Sequence, residues 1–389
     1  MQAGRSVMAQ LMDFVPKHEF DKCVRRYGGD KRVRSLSCYS QFLAMCFAQL
    51  TGRESLRDIE TCLRAVGPKL YHAGLRRPPP KSTLADANEK RDWRIFADFG
   101  QALIAQATQL YADDPLGVEL AGAAYALDST TVDLCLTLFP WAKYKQTRGG
   151  LKMHTLLALR GNFPAWMVVT PAQIHDVRLL AELALEPGAF YVMDRGYVDF
   201  AQFQRIHQAP AFFLTQTKRN LSFRRQYSAP ADKVRGIRFD QTGVLAKPAS
   251  RRRYPDTLRR VGYRDPERGR RLIFLTNNTV LPAADIAQLY RRRWQIELFF
   301  RWIKQHLRIK AFYGTSPNAV KTQIWIAICT YVLVAIVRKR LGLTDSLYTI
   351  LQILSVTLFE KTPILQALSL MPCVDLQAGP SNQLYLQGI

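Results

Sequence analysis

Three acidic residues are the side chains of this sequence best suited to chemistry. Asp128 and Asp194 each close an apolar run, and Glu297 stands alone among the basic and aromatic residues of "YRRRWQIELFFRWIK" (290–304). Carboxylate oxygens in a chain with only six histidines favour Mg²⁺ or Mn²⁺ over zinc. Three such carboxylates can hold two divalent ions, which activate water or a hydroxyl and stabilise the leaving oxygen at a phosphodiester.

Glu297 shares one predicted helical face with a tyrosine and two cations. Because a helix advances about 100° per residue, Tyr290, Arg293, Glu297 and Lys304 fall in one narrow stripe. Arg293 and Lys304 can grip phosphates on either side of Glu297. An acid on such a face weakens phosphate binding unless a metal needs it. We therefore interpret Glu297 as a third metal ligand beside the two aspartates.

The same residues have ordinary structural interpretations. Arg293 and Glu297, four residues apart, can form a helical ion pair that contributes only about 0.3–0.5 kcal/mol. An aspartate at the end of a strand can cap the turn or helix that follows, and for one such aspartate taken alone this is the commoner role. The chemical interpretation therefore requires that the three acids meet in the folded chain.

Strand patterns provide a way for the acids to meet. "AAYALDSTTVDL" predicts a short strand ending near Asp128, and "AFYVMDRGY" predicts a buried strand ending at Asp194. "LKMHTLLALRGNFPAWMVVTPA" predicts two strands joined by a Gly-Asn turn. In a mixed or parallel sheet, side chains at the carboxyl ends of strands converge on the crevice where ligands bind.

Helical patterns alternate with these strands. "HDVRLLAELAL" predicts a helix that stops at Pro187-Gly188, and "DFAQFQRIHQ" predicts another, followed by the strand "AFFLTQT". "PAADIAQLYRRRWQIELFFRWIKQHL" predicts one long helix that carries Glu297. The order predicts an α/β fold, a mixed sheet with helices on both faces.

Changes of pattern divide the chain into five parts. Before the sheet, "RRPPPKST" (76–83) predicts a stiff non-helical connection within a basic helical region. That region is interpreted as a DNA-binding domain, with a helical dimerisation or support module as the alternative. The expected parts are a helical N-terminal domain (1–110), the first part of the core (120–216), a basic β-rich insertion (217–280), the glutamate helix with a following core helix (281–345), and a tail with helical pattern (346–389).

Charge points to a polyanionic partner. The chain carries 55 Lys and Arg against 31 Asp and Glu, a net charge of +24. Nucleic acid is the first candidate and a membrane surface the second. The longest apolar run, Ile324–Val337, is short for a membrane span and predicts a core helix. Seven cysteines without a CxxC pair predict reduced thiols in a cytoplasmic protein.

Arginine runs in the insertion are expected to follow the DNA backbone. They are almost uncompensated by acids, which makes a merely solvated surface the weaker interpretation. Binding that depends on them should fall steeply with salt. The runs are Arg251-Arg252-Arg253, Arg259-Arg260 and Arg270-Arg271.

These motifs together resemble a known family. Tyr290, Arg293, Glu297 and Lys304 match at every spacing the helix signature of IS4-group bacterial insertion-sequence transposases, which are of the DDE type. "LDSTTVDL" and "VMDRGYVDF" look like the two aspartate motifs of that group, and the resemblance covers about residues 1–340. It implies a ribonuclease-H-like mixed sheet with flanking helices, interrupted by a β-rich insertion and preceded by an all-helical N-terminal domain.

The resemblance also implies an activity. A transposase of this kind cuts at the ends of a mobile element and joins the freed 3′ hydroxyl to target DNA. Asp128, Asp194 and Glu297 would hold Mg²⁺ (or Mn²⁺), and Tyr290, Arg293 and Lys304 would contact phosphates of double-stranded DNA. A homodimer on DNA, no membrane association, and a cytoplasmic, nucleoid-associated location in a bacterium follow from the same resemblance.

One family feature is missing from this sequence. Several members stack a flipped base on a tryptophan of the insertion, but here no Trp lies between Trp166 and Trp294. Tyr254 or Phe223 could replace it. Lys152 and His154 are expected near the site, where His154 either contacts phosphate or has a purely structural role.

Two other functions fit some of these sequence features. A domesticated or decayed relative would bind DNA without cutting it, although the three acids and the helix signature are intact. Paired carboxylates also serve glycosidases, but the net charge of +24 and the scarcity of sugar-stacking aromatics near the acids disfavour that class.

Overall fold

One large sheet organises the protein. The computed structural model describes residues 4–217, 221–266, 269–306 and 312–369. Its strand order is β2-β3-β1-β5-β6-β10-β9-β8-β7, with β4 on the other side of β3. The strands are β1 (Ala124–Leu134), β2 (Lys143–Lys145), β3 (Arg148–Ala158), β4 (Phe163–Pro171), β5 (Phe190–Met193), β6 (Phe212–Gln216), β7 (Phe223–Ala229), β8 (Ile237–Leu245), β9 (Leu258–Arg264) and β10 (Arg271–Thr276).

Five of these strands form the ribonuclease-H-like core that the sequence predicts. β4, β3 and β1 are antiparallel neighbours, and β5 and β6 continue parallel to β1. The turn between β3 and β4 places Gly161 at φ +83° and Asn162 at φ +56°. Glycine and asparagine tolerate this left-handed conformation better than other residues do, so the predicted Gly-Asn hairpin is confirmed.

The strand that carries Asp128 is longer than predicted. It does not end near Asp128 but runs to Leu134, because its far half pairs with β3 through to Gly149. The parallel partner β5 stops earlier, at the pair Leu127 and Met193. Asp128 therefore lies where the parallel pairing ends rather than where its own strand ends.

The basic segment 217–280 adds four strands to the same sheet. β10 pairs antiparallel with β6, and β9, β8 and β7 follow in antiparallel order. All four lie within 217–280, the segment for which the sequence predicts a β-rich insertion. The helix of this segment, α10, spans Pro248–Arg253. The insertion thus extends the core sheet by main-chain hydrogen bonds.

Helices precede and cover the sheet, as predicted. α1 to α7 come before β1, α8 and α9 lie between core strands, and α11 to α15 follow β10. The bounds are α1 Val7–Met12, α2 Lys17–Arg26, α3 Cys38–Leu50, α4 Leu56–Ala65, α5 Gly67–Leu70, α6 Lys81–Lys90, α7 Arg94–Leu110, α8 Asp176–Leu180, α9 Phe200–Gln208, α11 Ala283–Arg292, α12 Trp294–His306, α13 Pro317–Arg340, α14 Leu347–Thr357 and α15 Ile364–Leu368.

Helix α13 joins the N-terminal helices to the sheet. It packs on α7, α3, α6, α14 and β4. By length and composition α13 could cross a membrane, but 94% of its apolar window is buried inside the protein. The prediction of a core helix around Ile324–Val337 is confirmed.

Three predicted helical boundaries were wrong. The helix expected from "HDVRLLAELAL" covers only Asp176–Leu180, and α6 begins at Lys81, inside the segment 76–83 that was expected to be non-helical. The predicted long glutamate helix is divided at Arg293 into α11 and α12, where the hydrogen bonds tighten to i+3 spacing. In the tail, α14 and α15 are helical, and residues 370–389 lie outside the described ranges.

Candidate active site

Strand register brings the two aspartates side by side. Leu127 of β1 pairs with Met193 of β5, so the residues that follow, Asp128 and Asp194, leave neighbouring parallel strands at the same level. α12 packs on β1 and carries Glu297 to this edge. The negative charges of Asp194 and Glu297 both act on the Asp128 carboxyl. Acids separated by more than 160 positions in the sequence thus share one crevice.

Asp128 is partly buried at the edge of the crevice. Its side chain is 22% exposed, and its Oδ1 accepts a hydrogen bond of 2.8 Å from the main-chain N–H of Ser129. Burial is the main cause that raises the pKa of Asp128 to about 6, and the two neighbouring carboxylates raise it further. The Ser129 N–H and the Arg293 charge act in the opposite direction. Any additional cation near the Asp128 carboxyl would stabilise its charged form.

Asp194 holds the turn that follows its strand. Its Oδ1 accepts a hydrogen bond of 2.7 Å from the N–H of Gly196, and its carbonyl oxygen accepts one of 2.9 Å from Oγ1 of Thr215. A Cβ at position 196 would lie 2.9 Å from the same Oδ1, so a larger residue there would force the Asp194 carboxyl to move. The capping role considered from the sequence is therefore present, and it fixes the direction of the carboxyl.

Arg293 lies between the other two acids. Its Nη2 is 2.5 Å from Oε1 of Glu297, and its Nη1 is 3.5 Å from Oδ2 of Asp128. The guanidinium is mostly buried. Burial lowers the pKa of Arg293, but Tyr290 and the two carboxylates together raise it above its ordinary value. The i,i+4 ion pair between Arg293 and Glu297 that the sequence indicated is therefore present. The same guanidinium also reaches across the crevice to Asp128.

Tyr290 packs behind this arginine. Its ring centroid lies 4.7 Å from that of Phe274 in β10, and its hydroxyl lies 3.4 Å from Oε1 of Gln216. The Arg293 guanidinium is 5.7 Å from the Tyr290 ring centre. Lys304 is half-buried on α12, seven residues beyond Glu297 and so near the same face of the helix.

The three carboxylates suit a hard divalent cation. In this structure, however, they are not close enough together to coordinate one ion. Carboxylate oxygens from three elements surround the crevice, which is the ligand chemistry of Mg²⁺ or Mn²⁺. Within residues 4–217, 221–266, 269–306 and 312–369, no group of three or more His, Cys, Asp or Glu side chains is close enough to hold a metal ion. The cation that lies between Asp128 and Glu297 here is the Arg293 guanidinium.

A cavity of about 660 Å³ opens beside Asp194. Its walls include Arg270 and Arg271, which the sequence assigned to DNA contact, and both are exposed. Arg195 lines it too and was missed from the sequence, although its position directly after Asp194 was a usable signal. Several guanidinium groups around one acid favour a phosphate-bearing ligand.

Two arginines of the insertion do not follow the prediction. Arg259 is buried and forms a double ion pair with Asp240 at 2.8 and 2.7 Å, so it is not available to DNA. Arg260 lies between the rings of Phe223 and Phe239, at 4.7 and 5.1 Å from their centres. The exposed run 251–253 remains compatible with backbone contact.

One of the two residues considered for base stacking is excluded by burial. Tyr254 is fully buried against Phe213 and His207, so its ring cannot receive a base without local unfolding. Phe223 is half-buried, and its ring is already occupied by Arg260 on one side.

His154 and Lys152 lie on the far face of the sheet from Asp128. His154 pairs with Ser129 across the sheet. Because neighbouring side chains of a strand point to opposite faces, Ser129 and His154 lie on the face opposite Asp128, and His154 is completely buried. Its Nε2 is 2.9 Å from Oγ1 of Thr170, and burial lowers the pKa of His154 to about 4. Lys152 pairs with Asp176 at 3.2 Å. The burial of His154 on the far face favours its structural role over phosphate contact.

The fold and its acidic crevice define a ribonuclease-H-like protein, and comparison with known proteins gives the family. Residues 121–333 match the family described as the transposase DDE domain, and residues 3–76 match a domain of unknown function, DUF4372. The first match covers more than half of the chain. The protein belongs to the DDE transposases of bacterial insertion sequences and is a transposase enzyme.

Relatives from three bacteria support this assignment. A candidate transposase of Sinorhizobium fredii, y4zB, is 32% identical over 74% of this chain and 79% of its own length. A candidate transposase of insertion sequence element IS5377 of Geobacillus stearothermophilus is 31% identical over 53% of this chain and 54% of its own length. A candidate transposase of insertion sequence element IS4SA of Synechocystis is 24% identical over 68% of this chain and 74% of its own length. Domains of the DDE family generally use a divalent metal.

A solved structure shows a distant likeness. The piggyBac transposase in a synaptic complex with hairpin DNA matches with a TM-score of 0.46 and 11% identity, over 95% of this chain and 83% of that chain. At this level the likeness adds nothing to the assignment.

Proposed function

We propose that this transposase, a member of the IS4 group, binds both ends of its insertion sequence in double-stranded DNA, cuts them, and joins them to a target. In the cut, a water oxygen bonds to phosphorus, the bond to the 3′ oxygen breaks, and that oxygen takes up a proton. In the joining step, the freed 3′ hydroxyl gives up its proton and its oxygen bonds to a target phosphorus. The bond from that phosphorus to a target 3′ oxygen breaks, and the displaced oxygen takes up a proton.

Asp128, Asp194 and Glu297 are the proposed catalytic and metal-holding residues. Mg²⁺ (or Mn²⁺) bound by them would polarise the phosphodiester and lower the pKa of the attacking water. Arg293 would leave its place between Asp128 and Glu297 when the ion binds, and would turn to a phosphate oxygen. Three acids without a cation repel one another, so the arginine and the metal act as alternatives.

The observation that carries this proposal is the convergence of the three acids beside an arginine-lined cavity. The raised pKa of Asp128, which burial mainly causes, supports a site that would gain from a bound divalent cation. The guanidinium groups of Arg195, Arg270 and Arg271 support a phosphate-bearing ligand next to it. A glycosidase would use the paired acids but would have no need for so many cations beside them.

Other residues of the signature are assigned to DNA contact. Tyr290, Arg293 and Lys304 would contact phosphates near the cut, and Tyr290 would also support Arg293 by packing under it. The synaptic complex of two ends is proposed to hold a homodimer, and the protein is proposed to act in the cytoplasm at the nucleoid, without membrane association. The alternative function is DNA binding without cutting.

The test compares wild-type protein with Glu297→Gln on a labelled duplex that carries the element end. The end is located as the inverted repeat beside the gene. With Mg²⁺, the wild type should nick at the end, and Glu297→Gln should bind equally well but leave the duplex intact. Glu182→Gln, which changes an exposed acid outside the crevice, is the matched control and should cut like wild type.

Two results would overturn the proposal. Equal cutting by Glu297→Gln and wild type removes Glu297 from the reaction. Binding of the end by the wild type without cutting, in both Mg²⁺ and Mn²⁺, favours the alternative of a DNA-binding relative.

A further inference from the structure

A group of polar side chains lies on the face of the sheet opposite the Asp128 side chain, and the proposed reaction does not use it. Its centre is Asp176, the first residue of α8. Oδ1 of Asp176 accepts a hydrogen bond of 2.7 Å from Oγ of Ser129, and Nζ of Lys152 lies 3.2 Å from the same oxygen. We call Asp176, Ser129 and Lys152 the Asp176 cluster.

The Asp176 oxygen at the centre of the cluster is held from several sides. Lys152 is mostly buried, and its Nζ also donates a hydrogen bond of 2.8 Å to the carbonyl oxygen of Ile174, two residues before Asp176. Nδ1 of the completely buried His154 lies 3.4 Å from the Asp176 oxygen. Because these neighbours fix the carboxylate, it provides a fixed acceptor for the Ser129 hydroxyl.

Ser129 connects the cluster to the proposed metal site. Its main-chain N–H binds Oδ1 of Asp128, and Oδ2 of Asp128 is the oxygen that faces Arg293. The parallel strand β5 stops at the pair Leu127 and Met193, so beyond that pair the described part of β1 is paired by β3. The hydrogen bond from Ser129 to Asp176 therefore anchors β1 at the point where its second neighbouring strand has ended.

Tyr197 links Asp176 to the crevice electrostatically. Its ring is 2% exposed, and it lies in the turn that follows Asp194. Burial is the main cause that raises the pKa of Tyr197, and the negative charges of Asp176, Asp128 and Asp194 raise it further. The side chain of Ser129 acts in the opposite direction. One buried hydroxyl is thus within reach of all three acids, although Asp176 lies on the other face of the sheet.

We propose that Asp176 is a positioning residue for the reaction: it holds Ser129, and the Ser129 N–H in turn directs the Asp128 carboxyl toward the divalent ion. Groups that hydrogen-bond around a metal ligand orient it, and their loss typically costs about 10- to 100-fold in metal affinity or activity. This inference rests on the proposed function, because it assumes that Asp128 holds the ion. Asp176 itself would touch neither the ion nor the DNA.

The test measures the response to metal separately from cutting. In Asp176→Ala without DNA, the Mn²⁺ concentration that gives half of the maximal rise in melting temperature should increase about tenfold. The rate at which the variant cuts a bound end duplex at saturating Mn²⁺ should fall about 10- to 100-fold. Its affinity for the duplex without metal should equal that of wild type, because Asp176 would contact no phosphate.

A double-mutant cycle tests the route through Ser129. Ser129→Ala should slow cutting as Asp176→Ala does, and the double variant should be no slower than either single variant, because both changes remove one and the same hydrogen bond. Asp176→Asn keeps an oxygen that can accept from the Ser129 hydroxyl, so it should recover most of the cutting rate. Additive losses in the cycle, or cutting by Asp176→Asn as slow as by Asp176→Ala, would overturn the proposal.

Asp58→Ala is the matched control. Asp58 is a partly buried acid in the first turn of α4, a helix that packs on α3, α5 and α6. Its Mn²⁺ response and its cutting rate should equal those of wild type. Equal losses in Asp58→Ala and Asp176→Ala would show that any acid at the start of a helix has this effect, and the inference would then fail.

The outcomes separate this inference from a structural role and from the proposed function. If Asp176→Ala lowers the melting temperature without Mn²⁺, but keeps the wild-type Mn²⁺ response and cutting rate, Asp176 is only structural and the inference fails while the proposed function stands. If the wild type cuts no end duplex in Mg²⁺ or Mn²⁺, the proposed function fails. The Mn²⁺ response of Asp176→Ala then decides alone whether the cluster positions Asp128.

Discussion

Arg293 donates a hydrogen bond of 2.5 Å to Glu297, and the same guanidinium lies 3.5 Å from Asp128 on the central strand. One arginine thus neutralises two of the three acids of the crevice. This arrangement allows the acids to lie close together in the absence of another cation. It also means that a divalent ion and Arg293 compete for the same carboxylates.

Removal of Arg293 should destabilise the metal-free protein. In Arg293→Ala, Asp128 and Glu297 lose their shared cation, and we expect the free energy of unfolding at neutral pH to fall by about 1–3 kcal/mol. Mg²⁺ should raise the melting temperature of the variant more than that of wild type, because the ion no longer displaces a guanidinium. Urea and thermal unfolding with and without Mg²⁺ measure both effects.

Arg253→Ala is the control for that experiment, since Arg253 is exposed on α10. Its stability and its response to Mg²⁺ should equal those of wild type. An equal response to Mg²⁺ in Arg293→Ala and wild type would show that the arginine and the ion do not compete.

Asp128 should make the metal-free protein less stable as pH rises. Its folded pKa, about 6, lies above the ordinary value of 3.8, so its contribution to stability is full below about pH 4 and is lost as pH rises through about 6. Asp128→Asn removes this loss. At neutral pH without divalent ions the variant should unfold with a free energy higher by about 1–3 kcal/mol, and it should not cut DNA.

Asp133→Asn changes an exposed acid of the same strand and should leave the pH profile of stability unchanged. Unfolding curves at several pH values with a chelator present provide the measurement. A lower stability of Asp128→Asn at neutral pH would contradict burial as the main cause of the raised pKa.

Arginines of the insertion should separate into structural and DNA-facing groups. Arg259→Ala leaves Asp240 buried without its partner, which typically costs about 3–5 kcal/mol of stability. Arg252→Ala, at an exposed position, should leave stability unchanged and weaken DNA binding. Denaturant unfolding and a binding titration on both variants check this division, and equal stability of the two variants would contradict it.

The sequence predicted that Asp128 and Asp194 would leave neighbouring strands, because the necessary signals are local. Apolar runs that end at Asp128 and Asp194 place both residues at one level of a parallel pair, and the spacing of Arg293 and Glu297 places both on one helical face. The strand–turn–strand pattern around Gly161 and Asn162 likewise requires only turn chemistry. These features depend on neighbours along the chain.

The wrong predictions depend on contacts distant in sequence. β1 continues beyond Asp128 because β3 pairs with its second half. Arg259 is buried because β8 presents Asp240 beside it, whereas a run of arginines alone indicates a surface. The division of the glutamate helix at Arg293 coincides with the reach of that side chain to Asp128, which no periodicity could indicate.

The structural role of His154 should show in the stability of the protein at acid pH. It is fully buried on the face of the sheet opposite Asp128, and the groups that face it are Asp176, Lys152 and Thr170. Its folded pKa, about 4, lies below the ordinary 6.5, because burial disfavours the charged ring. Its contribution to stability is therefore full above about pH 6.5 and is lost as pH falls through about 4.

Comparison of His154→Gln with wild type isolates this contribution. Between about pH 6.5 and 4, the free energy of unfolding of wild type should fall by about 2–3 kcal/mol more than that of the variant, since glutamine takes up no proton. His175→Gln, at an exposed position, should follow wild type. DNA affinity of His154→Gln at neutral pH should equal that of wild type, because a side chain on the far face cannot reach the phosphates. A specific loss of DNA affinity in a folded His154→Gln protein would instead return this histidine to the binding surface.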